Sequence, residues 1–302
     1  MKKSLSLLLA LVLLLSCGSF AFADGNSGAG NTRAVVGIDL TEDQVNSVYA
    51  NFGVNRGSVP EFRMTNAMER QYLDGYVDSS IIGTKSISCV LVTLKSDGSG
   101  MNVSTSNVNW CTPNMYISAL ATAGITDADI IVTAPVEVSG TAALVGIYWA
   151  YEDITGHKLS EAAKLVSTQE LTVTGNLAEE IGSMDASDIV NDLKLMLNET
   201  ENMTDDEMKK EIIDIAAQYN VSLTEKQIGQ LISLCRSLEE VKDDDNALIS
   251  RVQQVQSTLN KVKDAKTKVT GFVDTVTKAV ESVTSFFTKI ADILGFNNSP
   301  QN

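Results

Sequence analysis

The stretch ISCVLVTLKSDGSGMNVSTSNV, residues 87–108, is the strongest β-forming part of this 302-residue chain. Its first run, residues 87–94, is apolar on both faces, whereas its second run, residues 101–108, alternates apolar and polar side chains. The glycine-containing turn at residues 96–100 predicts that the two runs pair as a hairpin. Because strands that are apolar on both faces lie inside sheets, we expect the first strand centrally and the second nearer an edge.

The sequence on either side of this stretch adds further strands and helices. Residues 61–65 and 129–134 have strand character, and Thr41 with Gln44 forms a capping box at the start of a helix that ends before Gly53. Further helices are predicted at residues 66–73, at 112–123 and, apolar nearly all round and therefore buried, at 139–153. Residues 34–157 therefore predict a head domain with a mixed sheet of about four to five strands and several helices.

From residue 158 to 242 the pattern is helical. Helices are predicted at residues 187–197, 205–219 and 225–241, of which the last two begin with capping boxes at Thr204 and Thr224. Residues 160–181 are ambiguous, because Leu171-Thr172-Val173-Thr174 favours a strand while its neighbours favour a helix. The predicted fold class is α+β, with the sheet first and an all-helical region after it.

Residues 246–295 carry a heptad pattern that predicts a long amphipathic helix. From Leu248 to Leu294 every a and d position except Lys266 is apolar. The apolar face widens toward the C-terminus, which favours packing in a bundle, self-association or a protein partner through residues 248–294. Weak contact with a membrane surface is the alternative, because Phe286 and Phe287 lie near the end of this face.

The first 23 residues have the pattern of a signal peptide. Lys2 and Lys3 precede an apolar run, and small residues precede the cleavage site predicted after Ala23. Residues 24–33 would then be a flexible leader, and the protein would be secreted or lie in the extracellular cell envelope. The alternative is lipidation at Cys17, which would anchor the protein at the outer face of the cytoplasmic membrane.

Composition excludes several classes of function. The net charge of −15 argues against nucleic acid as a partner, because nucleic acid is a polyanion. Cleavage after Ala23 leaves Cys89, Cys111 and Cys235, an odd number, and we expect them to be free and mostly buried. The chain has one histidine, His157, which we expect to be solvated or to cap a helix, and with a single histidine we expect no metal site. Because the sequence has no phosphate-binding loop and no dinucleotide motif, we expect no cofactor.

One loop has the chemistry of a ligand site. Ser139, Gly140 and Thr141 come directly before the predicted buried helix, so free amides and hydroxyls could bind an anion or a carboxylate at its N-terminus. The alternative is simple N-capping by Ser139.

Several short segments resemble a known family. They are Ala134-Pro135, residues 139–147, Tyr72-Leu73, residues 83–85, Asn114-Met115-Tyr116, Ala119-Leu120, Thr122-Ala123-Gly124 and Thr155-Gly156. In these segments the chain resembles the YpuA-like family of predicted secreted proteins of Gram-positive bacteria, over roughly residues 35–240. The resemblance implies an exported protein with a domain of unknown function, and it carries over no catalytic residues.

Two functions remain open at this stage. The first is a non-catalytic binding or interaction module of the cell envelope. The second is an exported hydrolase of cell-wall material with a carboxylate pair drawn from residues such as Glu61, Glu137, Glu152 and Asp153. A cleft with converging carboxylates, or an acid with a raised pKa, would favour the hydrolase.

Overall fold

The computed structural model of this protein describes residues 28–242 and 247–257. Its centre is a five-stranded mixed sheet in the order β2-β1-β3-β5-β4. The strands are β1 (Thr32–Gly37), β2 (Glu61–Met64), β3 (Cys89–Leu94), β4 (Asn102–Val108) and β5 (Ala128–Val138). The predicted α+β class is thereby confirmed. β1 begins two residues before the predicted start of the head, and residues 1–27 lie outside the described part of the chain.

The hairpin predicted between residues 87–94 and 101–108 is wrong. β5 lies between β3 and β4, pairing antiparallel with β3 and parallel with β4. The connection from β4 to β5 runs through the helix Pro113–Ala123, as parallel neighbours require. β3 is still central and β4 is still at an edge, as the side-chain patterns predicted.

Helices follow the strands and cover both faces of the sheet. In chain order they are α1 (Gly28–Asn31), α2 (Glu42–Phe52), α3 (Asn66–Leu73), α4 (Ser79–Ile82), α5 (Pro113–Ala123), α6 (Thr141–Thr155), α7 (Glu161–Ile181), α8 (Ser183–Leu195), α9 (Leu197–Thr200), α10 (Asp205–Gln218) and α11 (Glu225–Val241). The capping boxes at Thr41, Thr204 and Thr224 are all present. α2 packs on one face of the sheet, and α5 and α6 pack on the other.

The ambiguous segment 160–181 is a single 21-residue helix, α7. Its threonines fit the helix because Thr172 Oγ1 donates to the carbonyl of Thr168 at 2.9 Å, and Thr168 Oγ1 donates to Lys164 at 2.9 Å. Leu171 joins the core under the sheet, whereas Leu177 joins the core of the helical region. α7 therefore contributes side chains to both cores.

Residues 247–257 are helical and lie against the rest of this chain. Leu248 and Val252 are buried in the helical core, and Val255 is buried in the core under the sheet. The described start of the heptad pattern is therefore covered by its own body. The rest of the predicted 246–295 helix, from residue 258, lies outside the described residues.

Candidate functional site

A cavity of about 190 Å³ lies where β2 and α3 meet α6 and the first turn of α7. We call it the aromatic pocket. Its uncharged wall is formed chiefly by Met64, Met68, Tyr72, Val145, Tyr148 and Trp149, and its charged wall by Glu152, Lys158, Glu161 and Lys164. The cavity thus places aromatic and aliphatic side chains opposite charged groups, a combination that ligand-binding sites also use.

Local sequence explains how these side chains come together. Thr65 caps α3 by accepting from the amide of Met68 at 3.3 Å, and the helical repeat then places Tyr72 one turn further on the same face. Along α6 the same repeat places Tyr148 and Glu152 on one face. Ser160 caps α7, so the first turn of α7 presents Lys164 to the pocket.

Glu152 is held by two lysines and one backbone amide. Its Oε1 is 3.0 Å from Lys164 Nζ and accepts from the amide of Leu159 at 3.1 Å, and its Oε2 is 2.6 Å from Lys158 Nζ. Burial opposes the charge of this carboxylate, but the hydrogen bonds from Lys158 and Lys164 outweigh burial and lower the pKa of Glu152. Glu152 therefore stays ionised at neutral pH.

Lys164 is almost fully buried and uses all three of its ammonium protons. Besides Glu152, its Nζ contacts Tyr72 Oη at 3.0 Å and Glu161 Oε1 at 2.5 Å. Burial opposes the charge of Lys164, but the hydrogen bonds that its ammonium group donates to Glu161, Tyr72 and Glu152 outweigh burial and raise its pKa. At neutral pH the buried face of the pocket thus holds a carboxylate and an ammonium group that are hydrogen-bonded to each other.

The carboxylates proposed for hydrolysis are distributed over different surfaces. Of the four, only Glu152 lines the aromatic pocket. Glu61 lies beside Tyr49 and Arg63, each at 2.7 Å, on the face of β2 opposite Phe62. Asp153 pairs with Arg33 at 2.5 Å and is exposed, and Glu137 is exposed near the end of β5.

Of the predicted ligand loop, Ser139 and Thr141 line a second cavity, of about 290 Å³, together with Lys85. Ser139 does not cap α6, because its Oγ donates to the carbonyl of Ile81 at 3.2 Å and Gly140 occupies the N-cap position without a side-chain bond. Gly140 is needed for packing: its φ is +92°, and a Cβ there would lie 2.5 Å from Tyr116 Oη. Anion binding at Ser139, Gly140 and Thr141 stays a prediction.

The remaining predicted residues occupy unremarkable positions. His157 is exposed, and its backbone amide donates to Thr155 Oγ1 at 3.1 Å. Cys89, Cys111 and Cys235 are free and buried, as expected, and burial raises the pKa of each thiol to about 12. Ala23 and Cys17 lie outside the described residues.

Residues 28–242 and 247–257 contain neither a metal-binding cluster nor a membrane-spanning helix. Within these ranges no group of histidine, cysteine, aspartate and glutamate side chains is arranged to hold a metal ion. Nor does any helix there combine the length and the apolar character that a membrane span requires.

Sequence reasoning missed a buried charged cluster between α5, α7 and α8. Lys194 and Glu170 form an ion pair at 2.9 Å, and both are almost inaccessible to solvent. Ser118 Oγ lies 2.6 Å from Glu170 Oε1 and 2.7 Å from Asn191 Oδ1, and Thr122 donates to the other oxygen of Glu170. Burial lowers the pKa of Lys194, and the carboxylate of Glu170 acts in the opposite direction. This cluster joins the helical region to the head without reaching any surface.

Fold and pocket together define an α+β protein with a five-stranded mixed sheet and a small, charge-paired cavity at the side of that sheet. The chain belongs to the family described as "Protein of unknown function (DUF1002)", whose model matches residues 36–255. It is 36% identical over 291 residues to "Uncharacterized protein YpuA" of Bacillus subtilis (strain 168), covering 95% of each chain. The predicted resemblance is thereby confirmed. No solved structure matches this chain.

Proposed function

We propose that this protein is an exported, non-catalytic binding module of the bacterial cell envelope. The proposal of export rests on residues 1–23, whose basic start, apolar run and small residues before position 24 are typical of a signal peptide. Cleavage after Ala23 would release the protein, whereas lipidation at Cys17 would keep it at the membrane.

One observation carries the proposal of binding over catalysis: the charged groups of the aromatic pocket are already matched to one another. An acid catalyst at neutral pH needs a raised pKa, and a lysine that acts as base or nucleophile needs a lowered one. Glu152 and Lys164 are shifted in the opposite directions. Such a pair is suited to shaping a binding surface, because neither group readily exchanges a proton.

A second interaction site is proposed for the C-terminal segment, through self-association or a protein partner. Residues 248–294 were predicted for this role, but Leu248, Val252 and Val255 are already buried against the protein's own body. The proposal is therefore confined to the heptad positions after residue 257.

The alternative hypothesis, that the protein is a hydrolase, is tested by incubating the exported protein with purified Gram-positive cell walls. The sample is the protein as a Gram-positive host processes it, with its first residue, Asp24 or a lipidated Cys17, identified by intact mass. We expect release of reducing sugars and free amino groups to stay at the background rate, for the wild type and for Glu152→Gln alike. Turnover that Glu152→Gln lowers by roughly 100-fold or more, while Asp153→Asn leaves it unchanged, would make the protein an enzyme.

A further inference from the structure

We propose that the aromatic pocket holds one apolar side chain, the size of a single ring, of a partner polypeptide. This inference rests on the proposed binding function and names its site and the chemistry of its ligand. It follows from the volume of the cavity, the character of its walls and the way in which its charges are paired.

The volume points to one side chain. Cavities that enclose a whole drug-sized molecule measure roughly 300–1,000 Å³, whereas an apolar cavity of about 150 Å³ is large enough for benzene. At about 190 Å³ the aromatic pocket lies just above the second value and well below the first. It therefore accommodates a phenyl ring or a branched aliphatic side chain, and little more.

The uncharged wall combines rigid and adaptable surfaces. Trp149 is stacked on Phe62 with ring centroids 3.7 Å apart, and Tyr72 meets Tyr148 edge to face at 6.1 Å. These contacts fix the aromatic surfaces, while the unbranched side chain of Met68 can adjust to the shape of the occupant. A preformed aromatic surface beside a methionine is suited to an apolar anchor residue.

The charges indicate that the anchor belongs to a polypeptide and is not a free amino acid. Glu152 and Lys164 are satisfied by each other and by their neighbours, so they offer no unpaired charge to an α-ammonium or an α-carboxylate group. A free amino acid that entered the pocket would lose hydration of both charged groups, and the buried groups Glu152 and Lys164 would not replace it. A peptide backbone carries no such charges, and Lys158 and Glu161, with side chains 82% and 67% exposed, form a polar rim around the site.

The test is an NMR titration of the exported protein with its C-terminal segment intact, labelled with ¹³C at the methionine methyl groups. The probes are N-acetyl-phenylalaninamide, N-acetyl-glycinamide and free phenylalanine. We expect N-acetyl-phenylalaninamide to shift the signals of Met64 and Met68 saturably, and to bind roughly tenfold or more tightly than either other probe. Met68→Trp, which fills the cavity, should abolish this shift at Met64, whereas Ala67→Trp on the neighbouring exposed position should leave it unchanged.

Four outcomes would overturn the inference. The Met64 and Met68 signals could stay in place at the highest soluble concentration of N-acetyl-phenylalaninamide, although far-ultraviolet circular dichroism shows that the protein is folded. Free phenylalanine could bind as tightly, which would make the occupant a small molecule. Without any probe, the signals could move with protein concentration, which would make the occupant of the pocket a second copy of the chain. They could also move, without any probe, in the variant Phe286→Ala/Phe287→Ala, which would make the occupant this chain's own C-terminal segment. None of these outcomes affects the cell-wall assay, which tests separately whether the protein is a hydrolase.

Discussion

Replacing Lys194 by methionine is expected to lower the free energy of unfolding by about 3–5 kcal/mol, as measured by urea denaturation. The ammonium group of Lys194 donates to Glu170, to Ser118 Oγ and to the carbonyl of Ser118, at 2.9, 3.1 and 2.9 Å. Without it the carboxylate of Glu170 remains in the core and loses the cation to which it is hydrogen-bonded. An unpaired buried charge is far more costly than the net contribution of the pair itself.

Two further variants separate this effect from simple loss of packing. Lys194→Met combined with Glu170→Gln removes both charges and keeps one acceptor oxygen and one amide donor beside the hydroxyls of Ser118 and Thr122, so it should recover at least half of the loss. Lys209→Met breaks an exposed lysine–glutamate pair, in which Lys209 Nζ lies 2.7 Å from Glu225, and should cost less than about 1 kcal/mol. A loss for Lys194→Met no greater than that for Lys209→Met would show that the buried pair is not held as described.

Replacing Gly37 by alanine is expected to destabilise the protein by about 3 kcal/mol, at the upper end of the cost of overpacking. A Cβ at this position would lie 2.1 Å from the carbonyl oxygen of Ser86 and 2.5 Å from its carbonyl carbon. Ser86 cannot move away easily, because its amide donates to Asp39 at 2.7 Å and its hydroxyl donates to buried Glu69. The clash is therefore with fixed backbone.

Gly229 is the matched control for this substitution. It is an exposed glycine inside α11, and a Cβ there would meet nothing within 4 Å. Gly229→Ala should therefore stabilise the protein by about 0.8–1 kcal/mol through helix propensity. If urea denaturation gave both variants the same sign of change, the close approach of Gly37 to Ser86 would be contradicted.

Features whose chemistry is local could be predicted from the sequence. Each capping box needs a threonine and a glutamine or glutamate three residues later, and all three predicted boxes, at Thr41, Thr204 and Thr224, are present. The burial of Cys235 follows in the same way from its place on the apolar stripe of α11. In both cases the deciding residues lie within a few turns of one another.

The pairing of strands could not be predicted from the turn alone. β5 is mostly buried over residues 128–134 and takes the place beside β3 that the hairpin gave to β4, which is polar on alternate residues. Asp127, just before β5, accepts from the amide of Gly100 at 2.6 Å, and this contact holds the start of β5 beside the turn. Residues 101–134 form a strand, a helix and a second strand, and this order indicates a parallel pair. The glycine-rich turn before them indicated a hairpin instead.

The site was only partly predictable, because its parts are distant in sequence. Glu152 was among the candidate carboxylates, but its partner Lys164 comes from the next helix and Tyr72 from a much earlier one. The buried cluster did leave a signal: Lys194 lies on the same face of α8 as Val190 and one turn before buried Leu197. A lysine on an apolar helical face indicates either an exposed edge or a buried partner, and sequence alone cannot name Glu170 as that partner.

A ¹³C NMR titration of the Glu152 side-chain carboxyl group tests whether Glu152 stays ionised at neutral pH, as a binding pocket with paired charges requires. We predict a pKa below the usual value of 4.5, because Lys158 and Lys164 donate to the carboxylate. Its contribution to stability should then be present above the pKa of the unfolded chain and lost as the pH falls through the lower, folded value. A pKa above the usual value, toward neutral pH, would contradict the account, because Glu152 would then be poised to donate a proton to a substrate.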